Sequence, residues 1–326
     1  MKIACIGSNL ESEYCLKVFI ERGFKIDYLI TRPDGNAGAV TDYVNLHAFC
    51  KSKGIEIHST TNVNATHTIA YFKNLEIDVL LTLGWSQIFK TEFRSCFKII
   101  IGSHPTLLPK GRGRAPIPWT ILNDIKTTGV SFFIIDEGVD TGRVILQKKI
   151  TLGSRSNATY LYRRVSEELS EGFSEIIESL LLHNALNLPD LELNETTSYH
   201  TAKRVESDGL IDFSLSSLIV DRLVRALSYP YPGAYSYYGD NRIFFFCSEP
   251  IESENYFGAV GQILEINNSS LRVSCGTGSI WLSEIRDALG LKVSTSSFKL
   301  HDKFGYSVQD EIYKLRVELK KLKLDQ

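Results

Sequence analysis

Two stretches of this sequence hold residues whose types and spacing suit acid–base chemistry. The first runs Ile99-Ile100-Ile101-Gly102-Ser103-His104-Pro105 and continues through Pro109-Lys110-Gly111-Arg112-Gly113-Arg114 to Pro116-Ile117-Pro118-Trp119. An apolar run ends in a histidine, and prolines then limit the freedom of the loop that follows. The second is Ile135-Asp136-Glu137-Gly138-Val139-Asp140-Thr141-Gly142, an acidic loop whose glycines permit close approach of a ligand or another backbone. A carboxylate beside an imidazole raises its proton affinity and fixes its tautomer. His104 and Asp140, if brought together, would therefore form a general acid–base pair. Each stretch also has a plainer reading, as a satisfied structural histidine and an acidic hairpin tip.

The elements around these stretches alternate between short apolar runs and amphipathic segments. Lys2–Ile6, Ile26–Ile30, Ile55–His58, Ile77–Leu83 and Lys98–Ile101 read as strands, and Asn9–Gly23, Val44–Lys53 and Thr66–Asn74 as helices. Val130–Ile135 and Val144–Ile150 read as two further strands joined by the acidic loop, followed by a long helix over Tyr160–His183. This alternation predicts an α/β, Rossmann-like, mostly parallel sheet. Its ligands collect at the carboxyl ends of the strands, where His104 lies. The first turn, Gly7-Ser8-Asn9, is not the dinucleotide fingerprint. Residues 189–205 are polar and weakly periodic and read as a linker. After a helix over Ser216–Leu227, several short strands between Ala234 and Ser283 predict a smaller, mainly-β, OB-like barrel. The expected domains are thus 1–188 and 206–326. Gln309–Leu324 reads as a charged amphipathic helix or a frayed tail.

Composition narrows the function. The 326 residues hold 36 Lys+Arg against 38 Asp+Glu, a net charge of −2, without the basic excess typical of a nucleic-acid partner. No stretch reaches the length of a membrane span. The six cysteines are scattered and form no CxxC or zinc spacing, so no metal is expected. The N-terminus carries no export signal, and reduced thiols in a cytoplasmic protein are expected.

The segment GSHPTLLPKGRGRAPIPW resembles the signature of the folate-dependent formyltransferases, and Asp140-Thr141-Gly142 resembles that family's Asp-x-Gly element. Asp208-Gly209-Leu210-Ile211-Asp212-Phe213, Val224-Arg225-Ala226-Leu227, Tyr231-Pro232-Gly233-Ala234 and Val273–Gly278 extend the resemblance through the second half of the chain. The resemblance implies that N10-formyltetrahydrofolate is the co-substrate and that its formyl group passes to a primary amine. Leu83, Gly84 and Trp85 match the segment that contacts the pterin, and Ile135, Asp136, Gly138 and Asp140 are implied on the folate as well. His104 and Asp140 are the implied catalytic residues. One member of the family's catalytic set, an Asn, is replaced here by Gly102. Losing one oxyanion donor costs about 2.7–4 kcal/mol. Ser103 is the nearest hydroxyl to replace it, if the strand ends or bulges there; otherwise a water fills the gap. A working enzyme is expected, since His104 and Asp140 remain.

Two acceptors fit the family, initiator tRNA and a nucleotide-linked amino sugar. The loop Arg32–Asp42 holds one arginine and two aspartates, where a tRNA enzyme typically carries a basic run. That loop and the net charge favour a sugar nucleotide (dTDP, UDP or GDP) over nucleic acid, for surface polysaccharide (O-antigen) synthesis. Lys110, Arg112 and Arg114 are the candidates for its diphosphate, and Tyr229, Tyr231, Tyr235, Tyr237 and Tyr238 either stack on its base or pack the β-domain. The resemblance also implies a homodimer. The competing readings are methionyl-tRNA formyltransferase, a folate-dependent hydrolase, and a nucleotide-sugar-binding regulator without catalysis.

Overall fold

Short runs rich in isoleucine, leucine and valine form the strands of a seven-stranded sheet. The central ones are buried on both faces, which is why they read as continuous rather than alternating apolar sequence. The structure, a computed structural model, describes residues 1–35, 42–252, 256–306 and 308–324. The chain divides into two units, Met1–Arg204 and Val205–Gln326.

The first unit runs β1 (Ile3–Ile6), α1 (Leu10–Glu21), β2 (Tyr28–Thr31), α2 (His47–Ser52), β3 (Glu56–Ser59), α3 (Thr66–Phe72), β4 (Ile77–Thr82), α4 (Thr91–Arg94), β5 (Phe97–His104), β6 (Lys110–Gly113), α5 (Pro116–Leu122), β7 (Thr127–Ile134), β8 (Val144–Thr151), α6 (Ala158–His183) and β9 (Tyr199–Thr201). The sheet order is β3-β2-β1-β4-β5-β7-β8. Strands β1 to β5 are parallel, and β7 and β8 add an antiparallel edge. The order reverses between β1 and β4, so the crevice at their carboxyl ends is the natural ligand site of such a sheet.

On one face, Ala4, Ile6, Ile30, Leu80 and Ile100 pack against Phe72, Phe89, Phe93 and Phe97. α1 and α6 meet through Phe19 and Phe173, whose rings cross edge-on at 6.5 Å. Along α6 the buried residues Leu161, Val165, Leu169, Phe173, Ile176 and Leu180 recur at three- and four-residue steps, the spacing of a helix with one apolar face. Each such side chain, fully buried, contributes roughly 1.5–3 kcal/mol.

Two segments differ from the sequence expectation. Pro116-Ile117-Pro118-Trp119 opens a helix, because proline is tolerated in a helix's first turn, where the amide is unpaired anyway. The stretch expected as a linker is folded onto the first unit. Its strand β9 pairs in parallel with β6, aligning Arg112 with His200 and Gly113 with Thr201.

The second unit holds α7 (Ser217–Ala226) and a five-stranded antiparallel sheet of β10 (Ala234–Tyr238), β11 (Asn241–Ile251), β12 (Ile263–Ile266), β13 (Ser270–Ser274) and β14 (Ser279–Arg286), in the order β10-β11-β14-β13-β12. Val220 and Val224 of α7 share one core with Phe245, Ile280 and Leu282. The helix α8 (Val308–Leu324) follows. Among the described residues, no helix is long and apolar enough to cross a membrane.

Candidate active site

β5 carries His104 to the carboxyl edge of the sheet, where its side chain is 5% exposed. Nε2 lies 2.8 Å from the carbonyl oxygen of Gly111. A carbonyl only accepts, so Nε2 carries a proton, which in the neutral tautomer leaves the lone pair on Nδ1. Nδ1 faces Oδ2 of Asp140 at 3.6 Å, beyond hydrogen-bond length. The two sequence stretches therefore do converge, and the atom that can take a proton is the one turned toward the carboxylate.

Asp140 is held from three directions. The Gly113 amide donates to its Oδ2 at 3.1 Å, Arg112 Nε donates to its carbonyl oxygen at 2.9 Å, and its backbone is left-handed, with φ of 53°. Arg112 is itself buried. It forks onto Glu195, at 2.8 and 2.9 Å, and donates to Ser198 Oγ at 3.0 Å. The charge-assisted hydrogen bond to Glu195 raises the Arg112 pKa and lowers that of Glu195. Arg112 was expected on a substrate diphosphate; the structure instead commits it to the chain's own Glu195, Ser198 and Asp140. A buried guanidinium costs free energy unless its donors are paired, and the folded 195–201 segment supplies the partners. Lys110 and Arg114, on the same loop, are exposed and remain open to solvent.

Gly102 stands two residues before His104, on the same face of β5. A Cβ there would lie 2.9 Å from both Ile135 Cγ1 and Phe133 Cζ. A side chain at this position would therefore press on two apolar neighbours. Ser103, the expected substitute, alternates to the other face and donates to the Thr82 carbonyl at 3.0 Å. It makes no hydrogen bond to His104 or Asp140.

The segments expected on the folate also converge. Trp85 and Ile135 pack on the same core cluster, while Asp136 and Gly138 are exposed beside them. Arg94 ties this loop down by donating to the Asp136 carbonyl and pairing with Glu137 at 3.1 Å. The backbone groups of Leu83 are already used, its amide on Ile6 and its carbonyl under Ser12 Oγ. Gly84 has φ of +78°, and a Cβ there would come within 2.4 Å of Asn9 Nδ2 and 2.8 Å of Glu11 Oε2, so only glycine fits this turn.

The sequence reading gave no role at the crevice to Arg32 or Glu11. Arg32, at the end of β2, lies over the Trp85 ring at 5.6 Å. Both Arg32 Nε and Trp85 Nε1 are buried without a hydrogen-bond partner among the described residues. Such orphaned donors are expensive, and a bound ligand with acceptor oxygens would satisfy them. Glu11 is buried in the first turn of α1. Desolvation, reinforced by the nearby charge of Asp42 and opposed by a hydrogen bond from Asn9, pushes its carboxyl up to about 8. The Asn9-x-x-Ser12 capping pair was the readable signal that this turn is built tightly. The basic-poor loop Arg32–Asp42 falls partly on 36–41, outside the described residues. In the second unit, Tyr235 is buried against Phe244, and the half-buried Tyr238 packs on Phe298 and Phe304.

The sequence profile of the family described as "Formyl transferase" matches residues 1–177, and that of "Formyl transferase, C-terminal domain" matches residues 204–301. The methionyl-tRNA formyltransferase of Citrifermentans bemidjiense is 29% identical over 289 residues, covering 88% of this chain and 89% of its own. That of Thermodesulfovibrio yellowstonii is 31% identical over 256 residues, 78% of this chain and 80% of its own. Among solved structures, the N-formyltransferase of Helicobacter canadensis, crystallised with folinic acid and dTDP-3-aminofucose, superposes with a TM-score of 0.65 at 18% identity, covering 87% of this chain and 99% of its own. At that identity the likeness shows the shared fold alone. The profile over the first 177 residues, which contain both His104 and Asp140, places this chain in the formyl transferase family.

Proposed function

We propose that the protein transfers the formyl group of N10-formyltetrahydrofolate to the amino group of a nucleotide-linked amino sugar. The carrying observation is the orientation of His104, with Nε2 fixed by Gly111 and Nδ1 turned toward Asp140. When bound, the folate supplies the formyl carbon. The residues that would hold it are Trp85, Ile135, Asp136 and Gly138, and the unpartnered donors of Arg32 and Trp85 fit a ligand rich in acceptors. Nδ1 of His104 takes a proton from the attacking amine, Asp140 faces the resulting imidazolium, and the same nitrogen returns the proton to the leaving amine. Gly102 brings no side-chain donor and the Ser103 hydroxyl is turned to the Thr82 carbonyl, so on this reading the stabilisation of developing charge falls to the His104 imidazolium.

Lys110 and Arg114 stand free on the loop after His104 and suit a diphosphate. Together with the net charge of −2, this supports the sugar nucleotide, made in the cytoplasm for surface polysaccharide. The names of the sequence relatives favour methionyl-tRNA as the second reading. A panel of 3-amino-3,6-dideoxy and 4-amino-4,6-dideoxy sugar nucleotides with N10-formyltetrahydrofolate separates the two. One of them should gain the mass of one formyl group. Formylation of charged initiator tRNA with no gain on any sugar nucleotide rejects the sugar reading.

A further inference from the structure

The helix α8 leaves the body of the second unit with its apolar residues uncovered. Val308, Ile312, Leu315, Leu319 and Leu322 are all between 45% and 69% exposed. Their steps are four, three, four and three residues, which is the spacing of the a and d positions of a heptad. Ile312 and Leu319 take a, and Val308, Leu315 and Leu322 take d. A 17-residue helix whose apolar seam is exposed among the described residues is marginal in water, so this seam calls for a partner.

The charges flanking the seam say which partner. Glu311 and Glu318 occupy the g positions, while Arg316 and, by register in the sequence, Lys323 occupy the e positions. In a parallel pair of identical helices each g residue faces the e residue five positions on in the other chain. That sets Glu311 against Arg316 and Glu318 against Lys323, acid against base throughout. In an antiparallel pair, g faces g and e faces e, so acids would face acids and bases would face bases. Glu311 also meets Lys314 of its own helix at 2.8 Å through one oxygen, leaving the other free. Ile312 at a beside Leu315 at d matches the two-stranded preference. The remaining basic residues, Lys314, Lys320 and Lys321, lie off the seam. Apart from Tyr313 and Val317, the apolar residues keep to two positions per heptad, narrower than the face of a helix lying in a membrane surface.

We infer that α8 is a dimerisation helix, which pairs in parallel and in register with α8 of a second copy of this chain. The test uses the full chain. Analytical ultracentrifugation should give a dimer for the unaltered protein, and Leu315→Glu with Leu319→Glu should halve the mass while leaving near-UV circular dichroism unchanged. Glu311→Arg with Glu318→Arg should weaken self-association, as should Arg316→Glu with Lys323→Glu, and mixing the two variants should restore a dimer. Val308→Cys in a Cys247→Ser background should form an interchain disulfide on oxidation, because only a parallel pair sets residue 308 against itself. A monomer for the unaltered chain overturns the inference, as does a dimer that survives the double glutamate variant or one in which the 308 cysteines fail to cross-link. Flotation of a monomer with anionic vesicles would assign the stripe to a membrane surface instead.

Discussion

Nδ1 of His104 stands 3.6 Å from Oδ2 of Asp140 with no hydrogen bond between them, while Nε2 donates to the Gly111 carbonyl. The pair is therefore set for a proton that arrives from outside. His104→Asn keeps a side chain of related shape but removes that acceptor. Formyl transfer should fall by about 10²–10⁴-fold with the thermal melt unchanged. A variant with near-normal kcat would remove His104 from the chemistry.

Arg112 is paired within the chain and fixes Asp140 from behind, through the carbonyl at 2.9 Å. It acts as a positioning residue. Arg112→Met should lower kcat by about tenfold or more, since small displacements of a catalytic group are costly, with little change in KM for the acceptor. Because Glu195 is largely solvent-exposed, Glu195→Gln should do much less. A selective rise in acceptor KM for Arg112→Met would return the residue to substrate binding.

Restoring the family's Asn is the obvious repair at position 102, and the structure argues against it. The new Cβ would press on Ile135 and Phe133 at 2.9 Å, and overpacking of this kind costs about 1–3 kcal/mol. Gly102→Asn should lower the melting temperature by several degrees and leave kcat unimproved. A paired Phe133→Ala variant opens the space. If Gly102→Asn alone raises kcat without loss of stability, the packing account of this glycine fails.

Glu11 makes stability depend on pH in a definite direction. Its carboxyl is raised from 4.5 to about 8 by burial, with Asp42 adding to it. Between these values the folded state holds a proton that the unfolded state releases, so stability falls as pH rises through that window. The penalty is absent near pH 4.5 and complete above about pH 8. Glu11→Gln should therefore stabilise the protein by up to a few kcal/mol at pH 8.5 and by almost nothing near pH 4.5. Equal effects at both pH values would show that the carboxyl is ionised throughout.

Much of this architecture was readable from residue pattern. The apolar runs at 77–83 and 98–101 became β4 and β5, and the convergence of His104 with Asp140 followed from strand ends at one sheet edge. What was not readable shares a cause. Arg112 looked like a free cation because its partner, Glu195, lies in a polar stretch without periodicity. Only the pairing of β6 with β9 brings that stretch alongside. Gly102 looked like a vacancy because sequence does not show which side chains lean into a missing one; Phe133 and Ile135 come from the antiparallel neighbour β7 and the residue just past its end. Arg32 and Trp85 sit in separate loops and meet only because β2 and β4 flank β1.

The loop after His104 separates the roles of its three cations by burial alone. Arg112 is enclosed and paired, whereas Lys110 and Arg114 are exposed. A dianionic diphosphate arriving at this loop would meet the two exposed side chains and gain charge-assisted hydrogen bonds, each of about 1.5–3 kcal/mol before solvent screening. Lys110→Ala with Arg114→Ala should thus raise KM for the sugar nucleotide by about tenfold to a hundredfold, leave KM for the folate within about twofold, and weaken the salt dependence of acceptor binding. The amine acceptor stripped of its nucleotide should bind equally poorly to both proteins. If the double variant instead raises the folate KM and spares the sugar nucleotide, these two cations belong to the co-substrate and the diphosphate is held elsewhere.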